Sequence, residues 1–183
     1  SAQGDNEDAY ALEVLTALLA VGKSARLEQS LVKQSQVASN VFASYDLIGR
    51  APGLFNIGGT PAQGKTTADL LAALEAEIKA LQDKPVDISE LDKIKIQLAA
   101  DEVYQLDSGF YQAMKLGIYT TVGLDWRMAD EYVNRIRAVT PEQVQAVARK
   151  YLVASNRSVA ELDPLPISPD APMPSNGEMN HVR

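Results

Sequence analysis

The order of strand and helix patterns along the chain constrains its fold more than any single motif does. Two strand patterns come early, from residue 37 to 47 and from 54 to 60, and several helical patterns fill the middle. One more strand pattern covers residues 157–162. This order is typical of an α+β fold in which helices pack on one face of an antiparallel sheet. We therefore predict one globular unit over residues 1–162, since its length suffices for one sizeable core.

Apolar residues at helical spacing predict the helices. The first, from residue 9 to 21, carries a stripe of leucines that indicates a well-buried helix. Two later helices have the spacing of a capping box, Thr66 with Asp69 and Asp87 with Glu90. The remaining helical patterns lie near residues 24–34, 110–119 with a break, 126–138, and 141–152 after an N-terminal proline.

The two early strands predict a hairpin joined by a loop of several residues that contains Pro52. Gly58 and Gly59 lie in the second strand pattern without any phosphate-binding spacing that leads into a helix. We therefore expect them to allow a close approach of two backbones. Residues 163–183 hold prolines at 164, 166, 169, 172 and 174 among small polar residues, which predicts a linker or tail.

Charge and composition exclude several classes of function. The net charge of −7 repels phosphate backbones, so we predict no nucleic-acid partner. The run Ala17–Val21 is too short to cross a bilayer, and no membrane span is predicted. The sequence has no cysteine, which removes disulfides and thiolate metal sites and is compatible with either cytoplasm or periplasm.

The residues needed for hydrolytic chemistry are missing from the predicted globular part. A zinc hydrolase needs two or three ligands, commonly two histidines on one helix, and a catalytic triad needs one histidine. His181 is the single histidine and falls in the proline-rich tail. The acidic pairs at 75 and 77 and at 101 and 102 are better explained as solvated helix faces than as a Mg²⁺ site. We predict no catalytic residue, no metal site and no cofactor in this chain.

Several short motifs occur together in one order. Residues 22–27 read Gly-Lys-Ser-Ala-Arg-Leu, 44–45 Ser-Tyr, 52–55 Pro-Gly-Leu-Phe and 123–126 Gly-Leu-Asp-Trp. Residues 136–142 read Ile-Arg-Ala-Val-Thr-Pro-Glu, and 148–152 Ala-Arg-Lys-Tyr-Leu. In this order and spacing, the chain resembles the second, C-terminal lobe of pitrilysin/insulinase zinc peptidases. The bacterial branch similar to mitochondrial processing peptidase has the most similar pattern.

The resemblance implies that the zinc site and this chain belong to different lobes of one peptidase. In that family, homologous α+β lobes enclose a chamber, and a His-x-x-Glu-His helix in the first lobe carries the zinc. This chain would then be a non-catalytic lobe, with zinc and the peptide substrate bound by the parent protein and with neighbouring homologous lobes as partners. Family lobes begin with a strand that we expect this chain to lack, which would expose a sheet edge and permit self-association.

A family pair that binds substrate, an Arg and a Tyr seven residues apart, aligns with Val32 and Ser39. The resemblance therefore implies that this lobe does not clamp the substrate, and that it either follows the zinc lobe or belongs to a degenerate half. We retain three candidate substrate-binding or lobe-interface residues, Arg26, Tyr45 and Trp126. An ordinary surface salt bridge explains Arg26 equally well. Tyr45, on an alternating strand, is better explained as a core or interface residue than as chamber lining, and simple burial is favoured over lobe contact for Trp126 and Tyr111.

These observations leave three functional hypotheses. The first is a non-catalytic lobe of a zinc-dependent endopeptidase, inactive alone, that forms chamber wall and packs against the zinc-bearing lobe. The second is a structural or assembly subunit of the same superfamily without peptidase activity, and the third is an unrelated α+β interaction module. Analogy with secreted bacterial relatives favours the periplasm.

Overall fold

The computed structural model describes residues 6–51 and 53–163, and it has the predicted α+β composition of several helices and an antiparallel sheet. In chain order, the elements are α1 (Glu7–Ala20), a π-helical segment (Glu28–Gln34), β1 (Ala38–Tyr45), β2 (Phe55–Pro61), α2 (Thr67–Asp83), α3 (Ile88–Gln105), α4 (Gly109–Val122), α5 (Met128–Ala138), α6 (Pro141–Tyr151) and a 3₁₀ turn (Ala154–Asn156). Each predicted helix is therefore present. The prediction of a proline-rich tail concerns residues outside the described part, apart from Asp163.

Helix α1 is the centre of the core. Ten of its 14 residues are buried, which is more than one stripe of the helix, so other elements must surround it. It packs against β1 on one side and against α3, α5 and α6 on others. The side chain of Asn6 caps its first turn by accepting a hydrogen bond of 2.9 Å from the Asp8 amide. Asp8 in turn accepts hydrogen bonds from Lys150 and Tyr151, which join the start of α1 to the end of α6.

Side-chain caps fix where the next helices begin. Thr66 with Asp69 forms a capping box at α2, as predicted, and Thr140 with Gln143 forms another at α6, where Pro141 is the first helical residue. The predicted box at α3 is wrong in its second half. Asp87 caps the helix through the Ser89 amide, but the Glu90 carboxylate is held by the Arg26 guanidinium.

The sheet within the described residues consists of β1 and β2, paired antiparallel with Val41 opposite Gly59 and Phe42 opposite Gly58. Val41, Ala43, Phe55 and Ile57 pack against the core from one face, over α1 and α2. On the opposite face Phe42 is 50% exposed, and its ring covers Gly58. Helices therefore cover one face of the sheet and leave the other open.

Two details of the predicted secondary structure are wrong. Residues 157–162 form no strand, since no described strand pairs with the segment. The side chains of Arg157 and Glu161 instead bond to Glu75 and Thr67 of α2. Helix α4 has no break. It runs through Gly117 and ends at Gly123, whose φ of 84° provides the left-handed cap that favours glycine.

We predict that Gly59→Ala destabilises the hairpin more than Gly58→Ala does. A Cβ at Gly59 would stand 2.4 Å from the backbone oxygen of Asn40, whereas a Cβ at Gly58 would meet only the Phe42 ring at 2.9 Å, and that ring can move. The close approach expected at this glycine pair is thus confirmed at Gly59. Urea unfolding should show a loss of about 1–3 kcal/mol for Gly59→Ala and a clearly smaller loss for Gly58→Ala. Equal losses would contradict the steric explanation.

Candidate functional site

The structure does not bring the three predicted site residues together. Arg26 lies just before the π-helical segment, where its Nε and Nη2 donate hydrogen bonds of 2.8 and 2.7 Å to the two carboxylate oxygens of Glu90. These bonds raise the pKa of Arg26 above its ordinary value. Because the bidentate pair joins residues 64 positions apart, Arg26 connects the segment after α1 to the start of α3.

Tyr45 and Trp126 have opposite environments. Tyr45, at the end of β1, is 9% exposed, and its ring stacks on Phe55 with centroids 6.4 Å apart. Trp126, in the turn between α4 and α5, is 44% exposed, so the expectation of simple burial is wrong for it. The Arg127 guanidinium lies 4.8 Å from the centroid of the indole ring.

Helix α4 presents a face of exposed apolar side chains. Phe110, Met114 and Ile118 recur every four residues, so they lie along one side of the helix, and they are 79%, 41% and 41% exposed. Only Lys115 and Tyr119 of this helix are buried. We call Phe110, Met114 and Ile118 the α4 face. Contiguous exposed apolar surface is common at sites that contact another protein or a ligand.

A cavity of about 310 Å³ with both apolar and polar groups on its wall lies next to the α4 face. Tyrosines from β1, α4 and α5 and carboxylates from α1, α3 and the end of β1 form much of its wall. We call it the tyrosine cavity, and its lining consists of Tyr45, Tyr111, Tyr119, Tyr132, Glu13, Asp46, Glu102, Lys115, Leu47, Ile48, Met114 and Ile118. Its volume lies at the lower end of the range for small-molecule sites.

A buried ion pair forms one side of the tyrosine cavity. The Lys115 ammonium bonds to the Glu102 carboxylate, and both side chains are less than 10% exposed. The same ammonium lies 5.3 Å from the centroid of the Tyr132 ring and 3.4 Å from the Ala129 carbonyl oxygen. The expectation that Glu102 belongs to a solvated helix face is therefore wrong.

Glu13 is the second acidic group of the cavity. Burial raises the pKa of its carboxyl to about 7, and the nearby negative charge of Asp46 adds to the shift. Burial also raises the pKa of Tyr111, Tyr119 and Tyr132, so these phenols stay protonated at neutral pH. The cavity wall thus combines hydrogen-bond donors with a carboxyl group that titrates near neutrality.

Sequence periodicity holds a signal for these buried groups that the prediction missed. Glu102 lies four residues after Leu98 and continues the stripe of Leu91, Ile94 and Leu98 on α3. Lys115 is spaced four residues from Tyr111 and from Tyr119 on α4. Charged residues that continue an apolar stripe on two different helices suggest a buried pair.

The described residues contain no group of three or more side chains suited to hold a metal ion. His181 lies outside them. Val32 packs half-buried against the core, and Ser39 donates a hydrogen bond to the Thr60 carbonyl oxygen in the sheet. None of the helices in residues 6–51 and 53–163 combines the length and apolar character needed to cross a membrane.

We expect Lys115→Met to destabilise the chain by about 3 kcal/mol, because it leaves the Glu102 carboxylate buried without its cation. The double variant Glu102→Leu with Lys115→Met should recover most of that loss. Lys79→Met is the matched control, since the Lys79–Asp83 pair is more than 60% exposed and should change stability by less than about 0.5 kcal/mol. Chemical denaturation of the four proteins measures these differences. A double variant as unstable as Lys115→Met would contradict the explanation.

The raised pKa of Glu13 predicts a loss of stability with rising pH. The folded state holds the proton up to about pH 7, whereas the unfolded carboxyl releases it near 4.5, so stability from this group is complete below 4.5 and is lost by about pH 7. We expect Glu13→Gln to be more stable than the wild type by about 3 kcal/mol at pH 8 and similar to it at pH 4.5. Thermal unfolding at both values checks this difference, and an equal difference at both would contradict it.

Comparison with known proteins identifies relatives of the same architecture. The zinc protease PqqE of Helicobacter pylori is 30% identical over 164 residues, which are 87% of this chain and 35% of that protein. The chain therefore spans about a third of the length of this curated relative. The inactive peptidase domain of a candidate zinc protease from Bordetella parapertussis superposes with a TM-score of 0.81 at 26% identity, over 94% of this chain and 91% of that one.

A candidate zinc protease from Bordetella pertussis gives a TM-score of 0.74 at 28% identity, over 85% of this chain and 84% of that one. Both structures contain the α+β architecture described above. The family described as the Peptidase M16 inactive domain matches residues 2–98, more than half of the chain. These matches confirm the resemblance to pitrilysin-like zinc peptidases, and the chain belongs to the Peptidase M16 inactive domain family.

Proposed function

We propose that this chain is the non-catalytic lobe of a zinc-dependent endopeptidase, that it packs against the zinc-bearing lobe, and that it forms part of the chamber wall. The observation that carries the packing role is the α4 face, where three large apolar side chains stay exposed on a helix with two buried residues. Leaving such a face in water forgoes hydrophobic stabilisation that a partner surface would provide. Family membership supports the choice of partner.

Two further surfaces are available for the chamber side. Trp126 lies in the turn after α4 with its ring exposed under the Arg127 guanidinium, which suits a contact with another lobe. A groove also runs beside β2, between that strand and residues 153–162, with the apolar side chains of Leu54 and Val159 on its wall. Among the described residues β2 pairs with β1 alone, and its other edge, beside this groove, supports self-association of the chain.

We expect Phe110→Asp to weaken binding of this chain to the zinc-bearing lobe of its parent protein by at least about tenfold, because it replaces the most exposed apolar side chain of the contact with a charge. Isothermal titration calorimetry with the separately produced zinc lobe measures the change. Ile88→Asp is the matched control. Ile88 is 66% exposed, but it lies at the start of α3, about 20 Å or more along the helix from the end that leads into α4.

Three results would contradict the proposal. These are stoichiometric zinc in the purified 183-residue chain, peptide cleavage by that chain alone, and equal effects of Phe110→Asp and Ile88→Asp. The alternative, a structural subunit, would make the same contact at α4 with a partner lobe that binds no zinc. The zinc content of the partner lobe therefore distinguishes the two hypotheses. Peptidase activity of the reassembled lobes would exclude that alternative.

A further inference from the structure

The tyrosine cavity already holds one ammonium group. Lys115 enters it from α4, and its charge is stabilised in two ways, by the Glu102 carboxylate and by the face of the Tyr132 ring at 5.3 Å. Aromatic faces and carboxylates are the groups that stabilise an organic cation away from bulk water. The wall of this cavity is therefore chemically suited to ammonium.

Lys115 forms an ion pair with one of the three carboxylates that line the cavity and leaves the other two without a cation. Glu13 and Asp46 also line the cavity, and neither has an ion pair or hydrogen bond within the part of the chain that the structure describes. Together with Glu102 and Lys115, they give the cavity a formal charge of −2 when all four groups are ionised. A second cation would offset that charge.

Tyr119 supplies an independent sign of a missing partner. It is 1% exposed and lines the cavity, and its hydroxyl has no hydrogen-bond partner among residues 6–51 and 53–163. Buried hydroxyl groups in native proteins are almost always hydrogen-bonded, and one left without a partner costs stability. The Tyr119 residue contributes to the cavity wall, so a ligand there would lie beside this group.

The rest of the wall specifies the shape of the ligand. Ile48, Met114 and Ile118 are apolar, and the last two belong to the exposed α4 face, so the cavity has an apolar side beside the helix surface. A lysine side chain has the matching form, because it buries an aliphatic stem along apolar groups and ends in a charge.

We infer that the tyrosine cavity binds the primary ammonium of a lysine side chain from another polypeptide, with the aliphatic stem against Ile48, Met114 and Ile118 and the ammonium between Glu13, Asp46 and the tyrosine rings. Because ionised Glu13 contributes to the site, ligand binding is coupled to release of its proton. The charged and titratable groups that line the cavity with Glu13 are Tyr45 and Asp46 at the end of β1, Glu102 on α3, Tyr111, Lys115 and Tyr119 on α4, and Tyr132 on α5.

The test uses the 183-residue chain and a blocked tripeptide, acetyl-Ala-Lys-Ala-amide, followed by methyl NMR of Ile48, Met114 and Ile118. We expect saturable shifts at pH 8 with a dissociation constant on the order of 1 mM or tighter. The same peptide with norleucine in place of lysine keeps the stem without the charge and should bind at least about tenfold more weakly. Butylamine separates the two sources of the ammonium, since a polypeptide ligand should bind more tightly than the free amine.

Variants locate the binding. Glu13→Gln should weaken the lysine peptide at least about fivefold at pH 8, and wild-type binding should weaken by a similar factor at pH 5.5, where Glu13 holds its proton. Glu142→Gln removes the same charge from the exposed first turn of α6 and should leave binding unchanged. Thermal unfolding confirms that each variant is folded.

Three outcomes would overturn the inference. The first is no shift of the three methyl groups at 10 mM peptide, about ten times the expected dissociation constant. The second is equal binding of the lysine and norleucine peptides, and the third is equal weakening by Glu13→Gln and Glu142→Gln. None of these depends on the zinc lobe, so the inference and the proposed function can fail separately.

Discussion

The burial of α1 is the constraint on which the rest of the structure depends. A helix with ten buried residues out of 14 needs partners on most of its circumference, and it finds them in β1, α3, α5 and α6. Glu13 is the single charged residue between Ala9 and Leu19, so the packing must leave room for one carboxyl group. The tyrosine cavity forms at that position, between the helix and the elements that surround it.

The two unusual surfaces of the molecule meet at α4. Its outer side is apolar and exposed, and its inner side carries Lys115 and Tyr119 into the cavity. A buried ion pair contributes little net stability because desolvation offsets the attraction, so we interpret the Glu102–Lys115 pair chiefly as a specific link between α3 and α4. Any partner on the α4 face would therefore also contact the mouth of the cavity.

Much of the fold could be predicted because local signals agree with the packing. The leucine stripe of α1, the Thr66 and Thr140 caps and the glycine pair of β2 each have their predicted role. The strand predicted at residues 157–162 fails because pairing depends on a neighbour, and local alternation of residues cannot show whether one is present. A residue at a capping position can likewise bond to a distant partner instead, as the Glu90 carboxylate bonds to the Arg26 guanidinium.

The candidate site was less predictable because it, too, depends on contacts between residues that are distant in the sequence. Glu102 and Lys115 are 13 residues apart and on different helices, so their burial is a property of tertiary structure. Trp126 stays exposed because it precedes α5 in a turn, outside the stripe that faces the core. The family resemblance identified the type of lobe from short motifs, and Tyr45 is the one residue of those motifs that lines the cavity.

The small buried area of α4 has a consequence for motion. A helix that packs mainly on α5 and buries two of its 14 residues has few apolar contacts to lose when it opens, so its amide protons should exchange with solvent long before those of α1. The cavity wall can then open by local unfolding while the core stays folded. Entry of a bulky group would need no permanent channel, and a partner that covers α4 would slow both amide exchange and entry.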